Sequence, residues 1–318
     1  MASVPVELSF CVVNTAQREL LVRCLDAVAA EREALAATGL STEVLVLDNG
    51  SGDGSAGAAR GHAAVDAVIA RAQRCGKGEN DTLLLQRAQG RFCLLLNEDS
   101  ELRPGASATL LAALHAHPEA GAAGAALYRP DGSRQPSAWR FPTPLTALAA
   151  AFALHKWLTV QSGGSAIRRV DWAQSAALMV RREAAEQIGF FDPLFFVYSD
   201  EVDFCKRLRD AGWRTLYVPA AGAVHREQLS TGAVPEKRIV ELSRNRDRYM
   251  RKHHTRGAAR AVRWLTAWTY AARTVAAVGL PGHEPRRYWR HVTATLRPGH
   301  GEGLREAAIE HNRGGPRL

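Results

Sequence analysis

Carboxylates in this chain gather where apolar runs stop. Asn97-Glu98-Asp99-Ser100 follows the run Phe92-Cys93-Leu94-Leu95-Leu96, and Asp200, Glu201 and Asp203 open a helical pattern about 100 residues later. Carboxylates at a strand end can hold a hard divalent cation and bridge it to phosphate oxygens. The same residue types also make an ordinary turn and cap. In Tyr198-Ser199-Asp200-Glu201-Val202-Asp203 the bland account is charge placed well at a helix N-terminus, worth under about 1 kcal/mol. Three acids exceed that need, and one of them suits a general base taking a proton from an attacking hydroxyl. His225, which closes the strand-like run 220–224, is either a neutral imidazole ligand or a structural histidine. Asp48 ends Val44-Leu45-Val46-Leu47 and leads into the glycine-rich loop 49–54. That loop matches neither G-x-G-x-x-G nor G-x-x-x-x-G-K-[ST], so by itself it is a βα turn.

Such residues need a frame to bring them together. Short β-rich apolar runs at 8–13, 43–47 and 92–96 alternate with helical patterns, the longest at 17–37. This is the order of parallel βαβ units, whose strands are covered on both faces and therefore read as continuously apolar. Ligands of open α/β sheets bind beyond the carboxyl ends of the strands. Asn14-Thr15, the loop from Asp48 and the cluster from Asn97 would then share one rim. Residues 129–165, with Pro, Gly, Ser and an Ala-rich helix, read as a crossing to a second block. That block has runs at 170–180 and 215–218, a short helix from Arg182 and the acidic segment 191–203. From about residue 235 the pattern is helical, basic and Trp-containing. The expected fold class is α/β, a mainly parallel central sheet flanked by helices, with a C-terminal helical extension.

Bulk composition narrows the partners. With 46% hydrophobic and 23% charged residues, the 318-residue chain is globular, neither disordered nor collagen-like. Its net charge of +9 is concentrated in Arg and His between 237 and 317. Such a field attracts nucleic acid, anionic membrane surfaces and phosphorylated substrates alike. No helix-turn-helix, zinc-finger or RNA-recognition pattern is present, and the strand-end acids repel phosphate without a cation, so nucleic acid is not an expected partner. The five cysteines form no CxxC pair and read as buried free thiols. Residues 1–10 lack a basic head followed by an apolar stretch, and no run reaches the roughly 18–20 apolar residues of a spanning helix. The expected location is the cytoplasm. Arg256, Arg260 and Arg263 recur at helical spacing, with Trp264 and Trp268 on another face. That helix either packs its Trp face on the preceding domain or docks peripherally at the inner face of a membrane.

In order along the chain, Ser9-Phe10-Cys11-Val12-Val13-Asn14, EVLVLDNGSGDGS (43–55), GRFCLLLNEDSELRPG (90–105), VDWAQSAALMVRR (170–182), 188–212 and Tyr217-Val218-Pro219 through His225 resemble the family 2 glycosyltransferases of the GT-A fold. The likeness is strongest to the rhamnosyltransferase-like branch and spans nearly the whole chain. It implies a GT-A catalytic domain at 1–234, with a nucleotide-sugar half at about 1–128 and an acceptor half at about 129–234, followed by the basic helical region 235–318. It implies an inverting, metal-dependent transfer from a dTDP- or UDP-linked sugar, rhamnose or another deoxysugar. The acceptor would be a hydroxyl of a saccharide, lipid-linked or small-molecule natural product. By the same resemblance Asn14, Thr15 and Asp48 would meet the nucleoside, with Asn97 and Glu98 beside the nucleotide. Asp99, last of the variant D-x-D triplet, and His225 would hold Mg²⁺ or Mn²⁺. Glu201 would be the base with Asp200 supporting it, and Trp172, Ser175 and Asp203 would face sugar or acceptor.

The chain departs from the family pattern in three places. Asn97 replaces the first D-x-D carboxylate. Asp200-Glu201 reverses the usual order of the acidic pair, leaving the base open between them. Lys77, in Gly76-Lys77-Gly78-Glu79-Asn80-Asp81, stands where an aromatic residue is common, and Thr82 near where an Asn is expected, which points to an altered donor preference. The competing readings are a nucleotide-sugar-binding module without catalysis and a nucleotidyltransferase. The latter should carry a basic Gly-rich loop after its first strand, where this chain has Asn14-Thr15-Ala16-Gln17.

Overall fold

The structure, a computed structural model, describes residues 5–226 and 235–314. Strands β1 (Leu8–Asn14), β2 (Thr42–Asp48), β3 (Ala67–Ala70) and β4 (Phe92–Asn97) are parallel, in the order β3-β2-β1-β4. Helix α1 (Arg18–Ala36) buries Leu21, Cys24, Leu25, Val28 and Leu35, a stripe at three- and four-residue spacing. It covers one face of the sheet, where Phe10, Val12, Val46 and Leu94 point. After α2 (Ser55–Arg60), helix α3 (Lys77–Arg87) puts Leu84 and Leu85 against Cys11, Leu45 and Leu95 on the other face. Burial on both faces is why these strands carry no polar alternation.

The second half completes the sheet from the far side. After β5 (Ser100–Leu102) and α4 (Ala106–Ala116) come β6 (Ala120–Tyr128), β7 (Arg134–Gln135), β8 (Ala138–Trp139) and the helices α5 (Pro144–Ala151) and α6 (His155–Leu158). The run expected at 170–180 divides into β9 (Arg168–Val170), β10 (Trp172–Ala173) and β11 (Ala177–Arg181), followed by α7 (Arg182–Gln187) and α8 (Asp200–Asp210). The division is physical. β9 joins the sheet on β12 (Arg214–His225) but off the main strand order, β10 makes a separate ribbon with β8, and only β11 enters the main order, antiparallel between β4 and β6. Among the described residues ten strands share this sheet, its main path being β3-β2-β1-β4-β11-β6-β12-β5. β12 unites the runs expected at 215–218 and 220–224, and its register shifts between Val218 and Gly222, around Pro219, which cannot donate to the ladder.

Four helices follow: α9 (Pro235–His253), α10 (Arg256–Ala277), α11 (Pro285–Leu296) and α12 (Leu304–Arg313). The boundary expected at residue 235 adjoins 227–234, which lie outside the described residues. Tyr249 and Met250 of α9 and Ala259 and Val262 of α10 belong to the same core cluster as Leu208, so these helices pack on the sheet domain. The packing expected for Trp264 and Trp268 is not what the structure shows, as they are 65% and 66% exposed. Among the described residues no helix is long and apolar enough to cross a membrane. Four cysteines are buried thiols as expected, but Cys75 is only half-buried.

Asp203 holds α8 to α9. Its carboxylate accepts from Arg207 Nε at 2.7 Å and contacts Lys252 Nζ at 2.7 Å and His253 Nε2 at 2.7 Å. Burial opposes ionisation, but the hydrogen bonds from His253, Lys252 and Arg207 outweigh it and hold the carboxyl at about 2. A folded-state value below the usual 3.8 means stabilisation that is present at neutral pH and is lost as the pH falls through about 2. Asp203→Asn should therefore cost about 2 kcal/mol at pH 7 in urea unfolding, with the difference from wild type closing toward pH 2. Equal stability at pH 7 would show that the cluster contributes nothing.

Candidate active site

The parallel strands end side by side. Asn14 is paired in register with Asp48, and Val13 with Asn97. Asn14 Nδ2 donates to Asp48 Oδ1 at 2.9 Å, and Asp48 Oδ2 accepts from the Ser51 amide at 3.1 Å. Asn49 carries this frame outward: its Nδ2 donates to Thr15 Oγ1 and the Cys75 carbonyl, while its Oδ1 accepts from the Cys75 amide at 2.8 Å. A cavity of about 460 Å³ opens beyond these strand ends.

One side of it holds Asn97, Glu98, Asp99 and His225. β12 runs antiparallel to β5 with His225 opposite Ser100, and the Arg226 amide donates to the Asp99 carbonyl at 3.0 Å. Strand register thus sets His225 beside Asp99, across 126 positions of sequence. His225 Nδ1 lies 3.3 Å from Gln135 Oε1, and its Nε2 faces Asp99 Oδ1 at 3.4 Å; with the ring proton on Nδ1, Nε2 presents a lone pair to that oxygen. Asp99 Oδ1 is buried with no hydrogen-bond donor. Two acceptors facing each other repel unless a cation or a proton lies between them. Burial, and after it the Asp99 charge, push the Glu98 carboxyl up to about 8.

The other side holds Asp200 and Glu201. They open α8 after Tyr198 and Ser199, both in the left-handed region at φ 65° and 61°. Two neighbours fix this strained turn: the Lys77 amide donates to the Phe196 carbonyl at 2.7 Å, and Asn245 Nδ2 donates to the Val197 carbonyl at 2.7 Å. Only glycine fits at position 76, where a Cβ would come within 2.7 Å of Phe196 O. Asp200 is fully buried and neither oxygen has a hydrogen-bond partner, while Glu201 is half-buried. Burial, followed by the adjacent Glu201 carboxylate, pushes Asp200 well above the usual carboxylate range. Glu201 is the more accessible of the two acids and lines the cavity.

Lys77 spans the two sides. Its Nζ donates to Asp81 Oδ2 at 2.6 Å and to Ser175 Oγ at 3.0 Å. Burial works against the ammonium, but Asp81 and Asp200 outweigh it and the amine is held above its usual range. A cation in the first turn of a helix opposes the dipole. The site, not the helix, accounts for it.

Of the residues expected here from the sequence, Thr15, Asn97, Glu98, Asp99, Ser175, Asp200, Glu201 and His225 line the cavity. Asn14 and Asp48 stand behind the wall, engaged with each other. Asp203 is turned into the α9 ion-pair cluster and does not reach the cavity. Trp172 also lies away from it, stacked on Trp139 at 4.5 Å with Nε1 donating to the Arg140 carbonyl. Sequence reasoning missed Asn49, Asn80 and Gln174, together with a wall supplied by the C-terminal helices: Arg238, Leu304, Ala307 and Ala308. Asn80 is fully buried and its amide has no protein partner. Asn312 ties the α12 wall down, exchanging two hydrogen bonds with the Arg74 backbone at 2.7 and 3.0 Å.

A mainly parallel sheet with this polar convergence beyond its carboxyl ends defines a glycosyltransferase of the GT-A type. Solved structures share the fold. Mannosyltransferase PcManGT from Pyrobaculum calidifontis, solved with GDP-Man and Mn²⁺, aligns with a TM-score of 0.59 at 16% identity, covering 96% of this chain and 88% of that one. TarS 1-349 of S. aureus, in complex with UDP-GlcNAc, gives 0.57 at 13% identity, covering 92% and 81%. The family described as Glycosyl transferase family 2 matches residues 9–175, and Glycosyl transferase family group 2 matches 93–296. N-acetylglucosaminyl-diphospho-decaprenol L-rhamnosyltransferase of Mycobacterium tuberculosis is 30% identical over 263 residues, 76% of this chain and 86% of the relative. The chain belongs to glycosyl transferase family 2.

Proposed function

We propose that this glycosyltransferase moves rhamnose or another deoxysugar from a dTDP or UDP carrier to a hydroxyl of a saccharide or lipid-linked acceptor, with inversion and with Mg²⁺ or Mn²⁺ required. The observation that carries this reading is that Glu201 and the Asp99–His225 pair line one and the same cavity beyond the strand ends. A lipid-linked acceptor is supported by the name of the mycobacterial relative, and a membrane-side location goes with it. A small natural product remains the alternative acceptor.

Asp99 and His225 fit a divalent cation, since a bare carboxylate oxygen and an imidazole lone pair face one point. Among the described residues no group of three or more His, Cys, Asp or Glu is set for a metal, so Asp99 and His225 are the two residues that would hold the ion. When bound, the ion offsets charge on the departing diphosphate. The chain's own work is at the acceptor. Glu201 takes the hydroxyl proton as the acceptor oxygen bonds to the anomeric carbon and the bond from that carbon to the diphosphate breaks. Asp200, kept neutral, does not compete for the proton. Thr15 and Asn49 meet the nucleoside in front of Asp48, and Ser175, Gln174 and Asn80 offer hydrogen bonds to the sugars.

Nucleoside diphosphate release across dTDP- and UDP-sugars, with acceptor, with and without Mn²⁺, tests the reading. Metal-dependent release from one donor is expected. Neither turnover nor metal-dependent binding of any nucleotide sugar would overturn it.

Lys77 gives a sharper check. Its charge opposes protonation of the Asp200–Glu201 pair, so Lys77→Met should raise the pH needed to ionise the base. The acid limb of kcat/KM should move up by about one pH unit, because a like-sized loss of a neighbouring cation shifts a partly buried carboxyl that far. Lys77→Met combined with Asp81→Asn avoids stranding the buried Asp81 charge and should show the same shift. An acid limb that stays put or moves down would remove Lys77 from this role.

A further inference from the structure

Exposed large apolar side chains are concentrated on this protein. Of fifteen among the described residues, twelve lie in two stretches, 132–170 and 248–283. Neither stretch contains a single Asp or Glu, whereas they hold five and seven Lys or Arg. The first is the α5–α6 hairpin, where Leu145, Phe152 and Trp157 are 75%, 69% and 77% exposed. The second runs from the end of α9, which carries three of its seven basic residues, through α10, where Trp264, Trp268 and Val275, with Val278 at the C-cap, recur at spacings that put them on one helix face. α5 packs along α10, and the Arg273 charge reaches His155 at the start of α6. The two patches therefore belong to one packed pair of elements.

We propose that the α5–α6 hairpin and the exposed face of α10 form a docking surface for an anionic phospholipid bilayer. The proposal deepens the membrane-side reading given above and rests on it for its purpose. Arg169 is paired with Glu119, Arg251 and Arg263 with Asp247, and Lys252 with Asp192 and Asp203. The apolar and indole side chains beside the other basic residues, such as Arg140, Arg168, Arg256 and Arg260, match the interface between acyl chains and anionic headgroups. Beside the hairpin a groove of about 560 Å³ has Leu145, Ala149, Trp157 and Leu158 with Arg140 and Arg168, setting guanidinium groups next to apolar wall. A second copy of the chain is the wrong occupant by charge. An isologous contact would set these two net-basic stretches against their own copies.

Flotation of the full chain, without donor, on vesicles of phosphatidylcholine alone and mixed with phosphatidylglycerol tests the proposal. Binding to the mixed vesicles is expected, much weaker on phosphatidylcholine and weaker again in about 0.5 M salt, where screening shortens the field to a few ångströms. The paired change Phe152→Glu with Trp157→Glu should lower vesicle binding about tenfold or more, with the thermal unfolding midpoint unchanged. Quenching of wild-type tryptophan fluorescence by brominated lipid should report insertion. The proposal is overturned if mixed vesicles do not bind the chain, if the paired change leaves binding intact, or if light scattering shows a dimer that the paired change dissolves. Nucleotide-sugar binding, measured without vesicles, reports separately on the proposed function and should be the same in wild type and variant.

Discussion

Glu201→Gln is expected to keep donor binding and to lose turnover, with kcat lower by about 10³-fold and KM for the donor little changed. The amide has the shape of the carboxylate but cannot take the acceptor's proton. Asp200→Asn supplies the contrast. The structure already holds Asp200 neutral through burial and the neighbouring Glu201 charge, so an amide there removes little, and kcat should fall less than about tenfold. Steady-state kinetics of both variants decide between the two acids that the reversed motif leaves open. If Asp200→Asn is the crippling change and Glu201→Gln the mild one, the roles assigned here are exchanged.

Asp99→Ala should have the second-largest effect. Asp99 Oδ1 is buried, undonated and 3.4 Å from His225 Nε2, so its removal takes away the carboxylate that faces the imidazole in the cavity. kcat/KM should fall about 10²- to 10³-fold, on the scale of losing one group that stabilises transition-state charge. His225→Ala should cost less, about tenfold, and raise the metal concentration that half-activates the enzyme. Metal-activation curves for the three proteins check this. Undiminished turnover after exhaustive chelation would assign the Asp99–His225 pair some other task.

The central strands and their polar ends could be read directly because both faces of a parallel sheet are covered. The strands become unbroken apolar runs, and the first polar residue marks the rim. The observed bounds of β1, β2, β4 and α1 agree closely with the patterns at 8–13, 43–47, 92–96 and 17–37. What depends on distant register was not readable. Nothing local shows that β12 shifts register around Pro219 before bringing His225 beside Asp99. Nor does any periodicity reveal that α12 lies over the cavity, latched by Asn312 to Arg74 across 238 positions. Asp203 was grouped with Asp200 and Glu201 by proximity in sequence, yet its partners Lys252 and His253 arrive from α9 and claim it for packing. Trp172 is held by Trp139, in a ribbon set apart from the main sheet. Lys77 did carry a local signal, since a lysine in the first turn of a helix violates the dipole rule.

The stereochemistry of transfer tests the proposed mechanism most directly. If Glu201 is the base for the acceptor hydroxyl, as proposed, transfer is a single displacement. The anomeric configuration of the product sugar, read by NMR from its one-bond carbon–hydrogen coupling, should be opposite to that of the nucleotide donor, and Glu201→Gln should form that product at about a thousandth of the wild-type rate. A product with the donor's configuration retained would contradict the mechanism.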